Sequence, residues 1–141
     1  MKPFDSELYD RDDHAKHVVI EWLKTYDITA RVNPDDYGID LLGYRDNESY
    51  EIEVEVKHSW KGRRFPFESL HYSARKLKFL NTTASVKFIT LNHEWTRCAV
   101  VDGDDLSSAQ IVKKKTKYTD LEEFIEIPRH QIKWGDIDAN L

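Results

Sequence analysis

A chain of 141 residues is long enough for one hydrophobic core and short for two. Charged residues make up 33% and apolar residues 40%, the balance of an ordinary globular domain rather than a disordered or fibrous chain. The formal net charge of -5 argues against a protein that coats nucleic acid over its whole surface, and the lone Cys98 excludes an intrachain disulfide and a thiolate metal cluster. No stretch approaches a membrane span, and Met1-Lys2-Pro3-Phe4-Asp5 has no apolar leader core, so a cytoplasmic location and no membrane partner are expected.

Asp12 or Asp13 can cap a first helix, in which Ala15, Val18, Val19, Trp22, Leu23 and Tyr26 recur at three- and four-residue spacing as a buried stripe. His14, His17 and Glu21 run along another face, at the edge of that stripe. Residues 28–32 read as a short strand, Asn33-Pro34-Asp35-Asp36 as a turn and residues 38–44 as a strand. Arg45-Asp46-Asn47-Glu48 is a hairpin turn into Glu51-Ile52-Glu53-Val54-Glu55-Val56-Lys57, whose strict alternation makes a strand. A basic and aromatic loop over 59–66 follows, then a helix from Phe67 or Glu68 to Leu80 with Leu70, Ala74, Leu77 and Leu80 inward. Residues 86–91 and 97–101 read as strands and Asp102-Gly103-Asp104-Asp105 as a turn. Residues 111–117 form a basic alternating edge, 124–128 a strand, and 132–137 a tail anchored by Trp134. The sum is one α/β (α+β) domain over residues 1–141, with its core from about 12 to 128.

The alternating strand carries the chemistry. Ile52, Val54 and Val56 face a core, so Glu51, Glu53, Glu55 and Lys57 share the opposite face. Like charges in a row repel, and a divalent cation would relieve them. Asp40 comes from the neighbouring strand across a short turn, which brings it near Glu55 with Lys57 two residues further on. Asp40 and Glu55 are hard oxygen ligands suited to magnesium, with manganese as a substitute, and the Val56 main-chain carbonyl is a third candidate ligand. Such a cation polarises a phosphodiester, and Lys57 would orient the attacking water or stabilise the scissile phosphate. The plainer reading of the same residues is a solvated sheet face balanced by one lysine.

Asp40 and Glu55-Val56-Lys57, with Gly38 shortly before and a helix preceding the hairpin, resemble the signature of the PD-(D/E)xK nuclease superfamily. That superfamily includes restriction endonucleases, archaeal Holliday junction resolvases and Mrr-like enzymes. The resemblance covers residues 12 to 80, and Ile39 stands where the signature has proline. It implies a restriction-endonuclease-like mixed central sheet flanked by helices. It also implies a magnesium-dependent endonuclease that hydrolyses DNA to a 5′-phosphate and a 3′-hydroxyl, with Asp40, Glu55 and Lys57 catalytic. Many relatives carry a metal-facing glutamate on the first helix. Here Glu21 comes late and Lys16 or His17 stands nearer that spacing, so Glu53, Glu21 and His17 are the candidates for a second metal.

For the substrate, Lys61, Arg63 and Arg64 can grip a backbone while Trp60 or Phe65 stacks on a base, and Arg75 and Lys76 extend the track. The competing reading is an aromatic lid with its arginines in water, and a wet helix face. The expectation is a DNA endonuclease, structure-selective in repair, recombination or phage DNA processing or else a restriction half-enzyme, with a homodimer supplying two sites. The alternatives are a nuclease-fold subunit with weak or no hydrolysis that binds nucleic acid or protein, and an unrelated domain whose acidic face binds a basic partner.

Overall fold

The computed structural model describes residues 6–117 and 121–138. Helix α1 spans Ser6–Lys24 and so begins before Asp12 and Asp13, which lie within it rather than capping it. It buries Ala15, Val19, Ile20, Trp22 and Leu23, close to the periodicity read from the sequence. Tyr26 is the exception: the helix has ended, Asp27 turns through a φ of 60°, and the tyrosine is 50% exposed.

Among the described residues nine strands follow in two sheets. The central sheet contains β1 (Thr29–Val32), β2 (Leu41–Arg45), β3 (Glu48–Val56), β5 (Ser85–Leu91), β6 (Arg97–Asp102) and β9 (Lys133–Asp136), in the order β1-β2-β3-β5-β6-β9. The β3–β5 pair is parallel and the others antiparallel. A smaller antiparallel sheet has the order β4-β8-β7, formed by β4 (Ser69–Ser73), β8 (Glu122–Pro128) and β7 (Gln110–Lys114).

Two expected elements take another form. The segment read as a second helix is strand β4 followed by a 3-10 helix, Ala74–Leu80. Leu70 and Tyr72 are buried on one face of β4, paired with Ile127 and Ile125 of β8, and this distant partner overrides the local helical spacing. The acidic turn instead opens the short helix α2, Gly103–Ser108, which buries Leu106; Asp102 stands at its N-cap position with its carboxylate paired to Lys87 and Lys133.

The central sheet separates two apolar layers. On one face, Leu41, Ile52, Ile89 and Leu91 meet α1. On the other, Phe88, Ala99 and Val101 meet Leu70, Tyr72, Ile125 and Ile127 of the second sheet and Leu106 of α2. A mixed sheet with helices on its faces is the restriction-endonuclease-like α+β architecture expected. The parallel β3–β5 pair needs a crossover, and this one carries β4 and the 3-10 segment back over the glutamate face of β3. No helix among the described residues is long and apolar enough to cross a membrane.

Candidate functional site

The β2–β3 hairpin builds the site. Leu41 pairs with Ile52, so Asp40, just before β2, stands across from Glu53. Its side chain continues the ladder where β2 begins: Val54 N donates to Asp40 Oδ2 at 2.8 Å, and Asp40 N donates to Glu53 Oε1 at 3.3 Å. Glu53 and Glu55 project from the same face of β3, one strand period apart. The structure thus brings Asp40, Glu53 and Glu55 together, with Lys57 just beyond the end of β3.

Two lysines close this cluster. Lys76, on the 3-10 segment, puts its Nζ 2.9 Å from Glu53 Oε2 and 2.7 Å from Glu55 Oε1. Lys16, on α1, reaches to 3.4 Å from Asp40 Oδ1. Lys76 was expected on a phosphate track. It is instead largely buried, turned inward by the two carboxylates that need a counter-charge. Burial pushes the Glu53 carboxyl up to about 7; the Lys76 charge opposes this and Asp40 reinforces it. Burial also disfavours charge on Lys76, but Glu55 and Glu53 outweigh it and hold that ammonium above its ordinary range. Both partners therefore move upward: the lysine stays charged and Glu53 is the member that takes a proton.

The remaining candidates divide. His17 is exposed, and no contact among the described residues joins it to Asp40; Lys16 supplies the helix residue at the site. Glu21 is exposed and paired with Lys24 one turn on, away from Asp40. Trp60 is fully buried against Phe65 and Trp134, so neither Trp60 nor the buried Phe65 is available to stack on a base. Lys61 and Arg64 are exposed, Arg63 pairs with Asp136, and exposed Arg75 lies 3.6 Å from Glu122. The ladder continues past Val56, where Lys57 N donates to Leu91 O on β5. The same trans peptide sends the Val56 carbonyl the other way, towards the side on which β2 has ended.

The second sheet carries a polar chain that the sequence did not point to. Lys114 Nζ lies 2.6 Å from His71 Nδ1, and His71 Nε2 lies 2.9 Å from Glu126 Oε2. An ammonium only donates, so Nδ1 accepts from it and the ring proton sits on Nε2, facing the carboxylate. Half-burial lowers the Lys57 ammonium's pKa, the Lys114 charge lowers it further, and Glu55 opposes both. The signal available was weak: a basic β7 edge and a lone histidine in a segment read as helical. Beneath the site, Tyr72 Oη and Thr90 Oγ1 share a 2.6 Å hydrogen bond.

The donors Asp40, Glu53 and Glu55 have the hard-oxygen chemistry of a magnesium site. As arranged they do not fit one, because the Lys76 ammonium sits where Glu53 and Glu55 converge. Among the described residues no group of three His, Cys, Asp or Glu side chains is disposed to hold an ion.

No protein-family model matches the sequence, and no curated protein matches it. Among solved structures the chain is similar to a Holliday junction resolvase of the archaeal hyperthermophile Archaeoglobus fulgidus. The match has a TM-score of 0.55 and 12% identity and covers 85% of each chain, a likeness of fold.

Proposed function

We propose that this chain is a nucleic-acid-binding protein of nuclease fold whose carboxylate site is closed by its own lysines, with weak or no hydrolysis of the bound strand. The observation that carries this reading is the Lys76 ammonium held between Glu53 and Glu55. A site that supplies its own cation has no need of a divalent ion to relieve its carboxylates. Exposed Lys61, Arg64 and Lys114, with Lys57 two residues after Glu55, offer positive charge to a phosphate backbone. The net charge of -5 then concentrates binding at this patch instead of spreading it over the surface.

A second reading is favoured by the pairing of Asp40 with the Glu53–Glu55 strand and by the half-buried Lys57 after it. In that reading the chain is a magnesium- or manganese-dependent endodeoxyribonuclease. Lys76 must then withdraw before Asp40 and Glu55 share an ion. The fold likeness makes branched DNA the substrate class to try first, and a homodimer would give the two sites that paired cuts require.

The test uses labelled single-stranded, duplex, flap and four-way-junction DNA. Binding is measured in EDTA and cleavage in magnesium or manganese, for the parent chain, Glu55→Gln and Lys57→Ala. Binding without cutting supports the first reading. Metal-dependent cutting abolished by Lys57→Ala replaces it with the second. A chain that neither binds nor cuts any of the four overturns both.

A further inference from the structure

Two histidines meet where the parallel β3–β5 pair ends. His58 and His93 each lie two residues past the end of their strand. Their Nδ1 atoms are 3.2 Å apart, and the half-buried rings meet edge to face with centroids 5.4 Å apart. The backbone fixes both positions. Lys57 N donates to Leu91 O just before the pair, and beyond it Trp60 N donates to Lys57 O and His93 N to Trp60 O. Fully buried Trp60 anchors the first loop. In the second, buried Asn92 accepts from Thr96 N and Arg97 N at Oδ1 and donates from Nδ2 to Gly62 O and Thr96 Oγ1. This frame, built of main chain and Asn92, presents the two imidazoles to one another.

One Nδ1 donates to the other, so a single proton lies between two nitrogens that each become a metal ligand when unprotonated. The same spacing suits an ion. With zinc–nitrogen bonds of about 2.0–2.1 Å and a tetrahedral angle, two ligating nitrogens stand about 3.3–3.4 Å apart. At a right angle, as on a square-planar or octahedral ion, the same bonds would set them about 2.9 Å apart. The observed 3.2 Å is nearer the tetrahedral value.

We propose that His58 and His93 form a two-histidine site for a borderline divalent cation, zinc above all, held through both Nδ1 atoms. The cation takes the place of the shared proton, which passes through solvent to Nε2 of the ring that held it, so both imidazoles bind neutral. The ion lies off the line between the nitrogens, at a point that turns of the two rings reach. Glu94 is turned to the neighbouring loop, where its Oε1 accepts from Gly62 N at 2.9 Å. No third His, Cys, Asp or Glu among the described residues is disposed to join the pair, so water fills the remaining positions. Imidazole nitrogen favours zinc over magnesium and manganese, which separates this site in chemistry from the carboxylates of Asp40, Glu53 and Glu55. The ion would tie together the loops that leave β3 and β5, and the inference does not depend on the nucleic-acid reading.

The test titrates the folded full chain with zinc chloride against a chromophoric chelator, and with cobalt(II) followed by its visible spectrum. Zinc should bind in the presence of excess magnesium, and cobalt should show the intense absorption of a tetrahedral ion. His58→Gln and His93→Gln, each checked for folding by urea unfolding, should each weaken zinc binding about tenfold or more and abolish the cobalt band. His130→Gln, at an exposed histidine elsewhere, should change zinc affinity less than about twofold. Nitrogen NMR of the imidazoles in the unsubstituted chain needs no variant to fold: zinc should shift Nδ1 of two of the six histidines. No zinc bound at micromolar concentration, an octahedral cobalt spectrum, affinity unchanged by either glutamine variant, or ligation through Nε2 would each overturn the site.

Discussion

Lys76→Met tests how the acidic face of β3 is held. The substitution keeps an unbranched side chain of similar length and removes the ammonium bridging Glu53 and Glu55. Breaking a buried ion pair by deleting one partner costs about 3–5 kcal/mol. The Glu55 side chain is 36% exposed and water takes up part of its charge, so the expected loss is about 2–3 kcal/mol near pH 8. The pH dependence has a definite sign. With its folded pKa raised from 4.5 to about 7, Glu53 keeps a proton in the folded chain that the unfolded chain has already released. Stability therefore falls as pH rises through that window, by about 3 kcal/mol from this group at about 1.36 kcal/mol per pH unit. Lys76 opposes the upward shift, so removing it raises the Glu53 pKa further and extends the fall above pH 7. The loss on substitution should shrink to about 1 kcal/mol near pH 5, where Glu53 is protonated with or without the lysine.

Urea unfolding in EDTA, followed by tryptophan fluorescence at the two pH values, measures both quantities, since Trp22 and Trp60 are buried. Excess magnesium chloride should then raise the melting temperature of Lys76→Met more than that of the parent, because an ion binding only the folded state stabilises it. A loss below about 0.5 kcal/mol, or one equal at both pH values, would refute the bridging role of Lys76. Equal stabilisation of parent and variant by magnesium would refute the claim that the lysine holds the cation's place.

Three further outcomes follow from the packing. Cys98 is buried and its thiol is pushed up to about 12 by that burial, so a thiol reagent at neutral pH should label the unfolded chain and not the native one. A Cβ at Gly135 would collide with the Trp22 ring, so Gly135→Ala should cost about 1–3 kcal/mol in urea unfolding as β9 and α1 are forced apart. Trp60→Ala should cost about 3–5 kcal/mol, whereas Arg64→Ala at an exposed position of the same loop should stay within about 0.5 kcal/mol. Similar losses at both would show that the loop is not anchored through Trp60.

Local pattern made the acidic strand legible. Alternation from Glu51 to Lys57 specified both the strand and its charged face, and the short turn at Arg45-Asp46-Asn47-Glu48 specified the hairpin that brings Asp40 across from Glu53. Both features lie within a span of eighteen residues, where strand period and turn chemistry dominate. The stretch from Phe67 to Leu80 was not legible in the same way. Leu70, Ala74, Leu77 and Leu80 fit a helix, while Leu70 and Tyr72 fit a strand face, and β8, more than fifty residues away, decides between them. Trp60 was equally ambiguous: an aromatic residue in a basic loop serves base stacking or core packing, and only the positions of Phe65 and Trp134 separate the two.

The same non-local contact explains why the lysine beside Glu53 and Glu55 was not legible in the sequence. Like charges along β3 require a cation, and that inference followed from the sequence alone. Its source depended on where residue 76 falls. On a continuous helix from 67 to 80, Lys76 lies beside Arg75 on a solvent face and a divalent ion becomes the natural partner for Glu53 and Glu55. With β4 paired to β8, the chain enters a tighter 3-10 turn over β3, and Lys76 arrives between the two carboxylates while Arg75 remains exposed. One strand pairing thereby sets a cation from the chain itself between the two carboxylates.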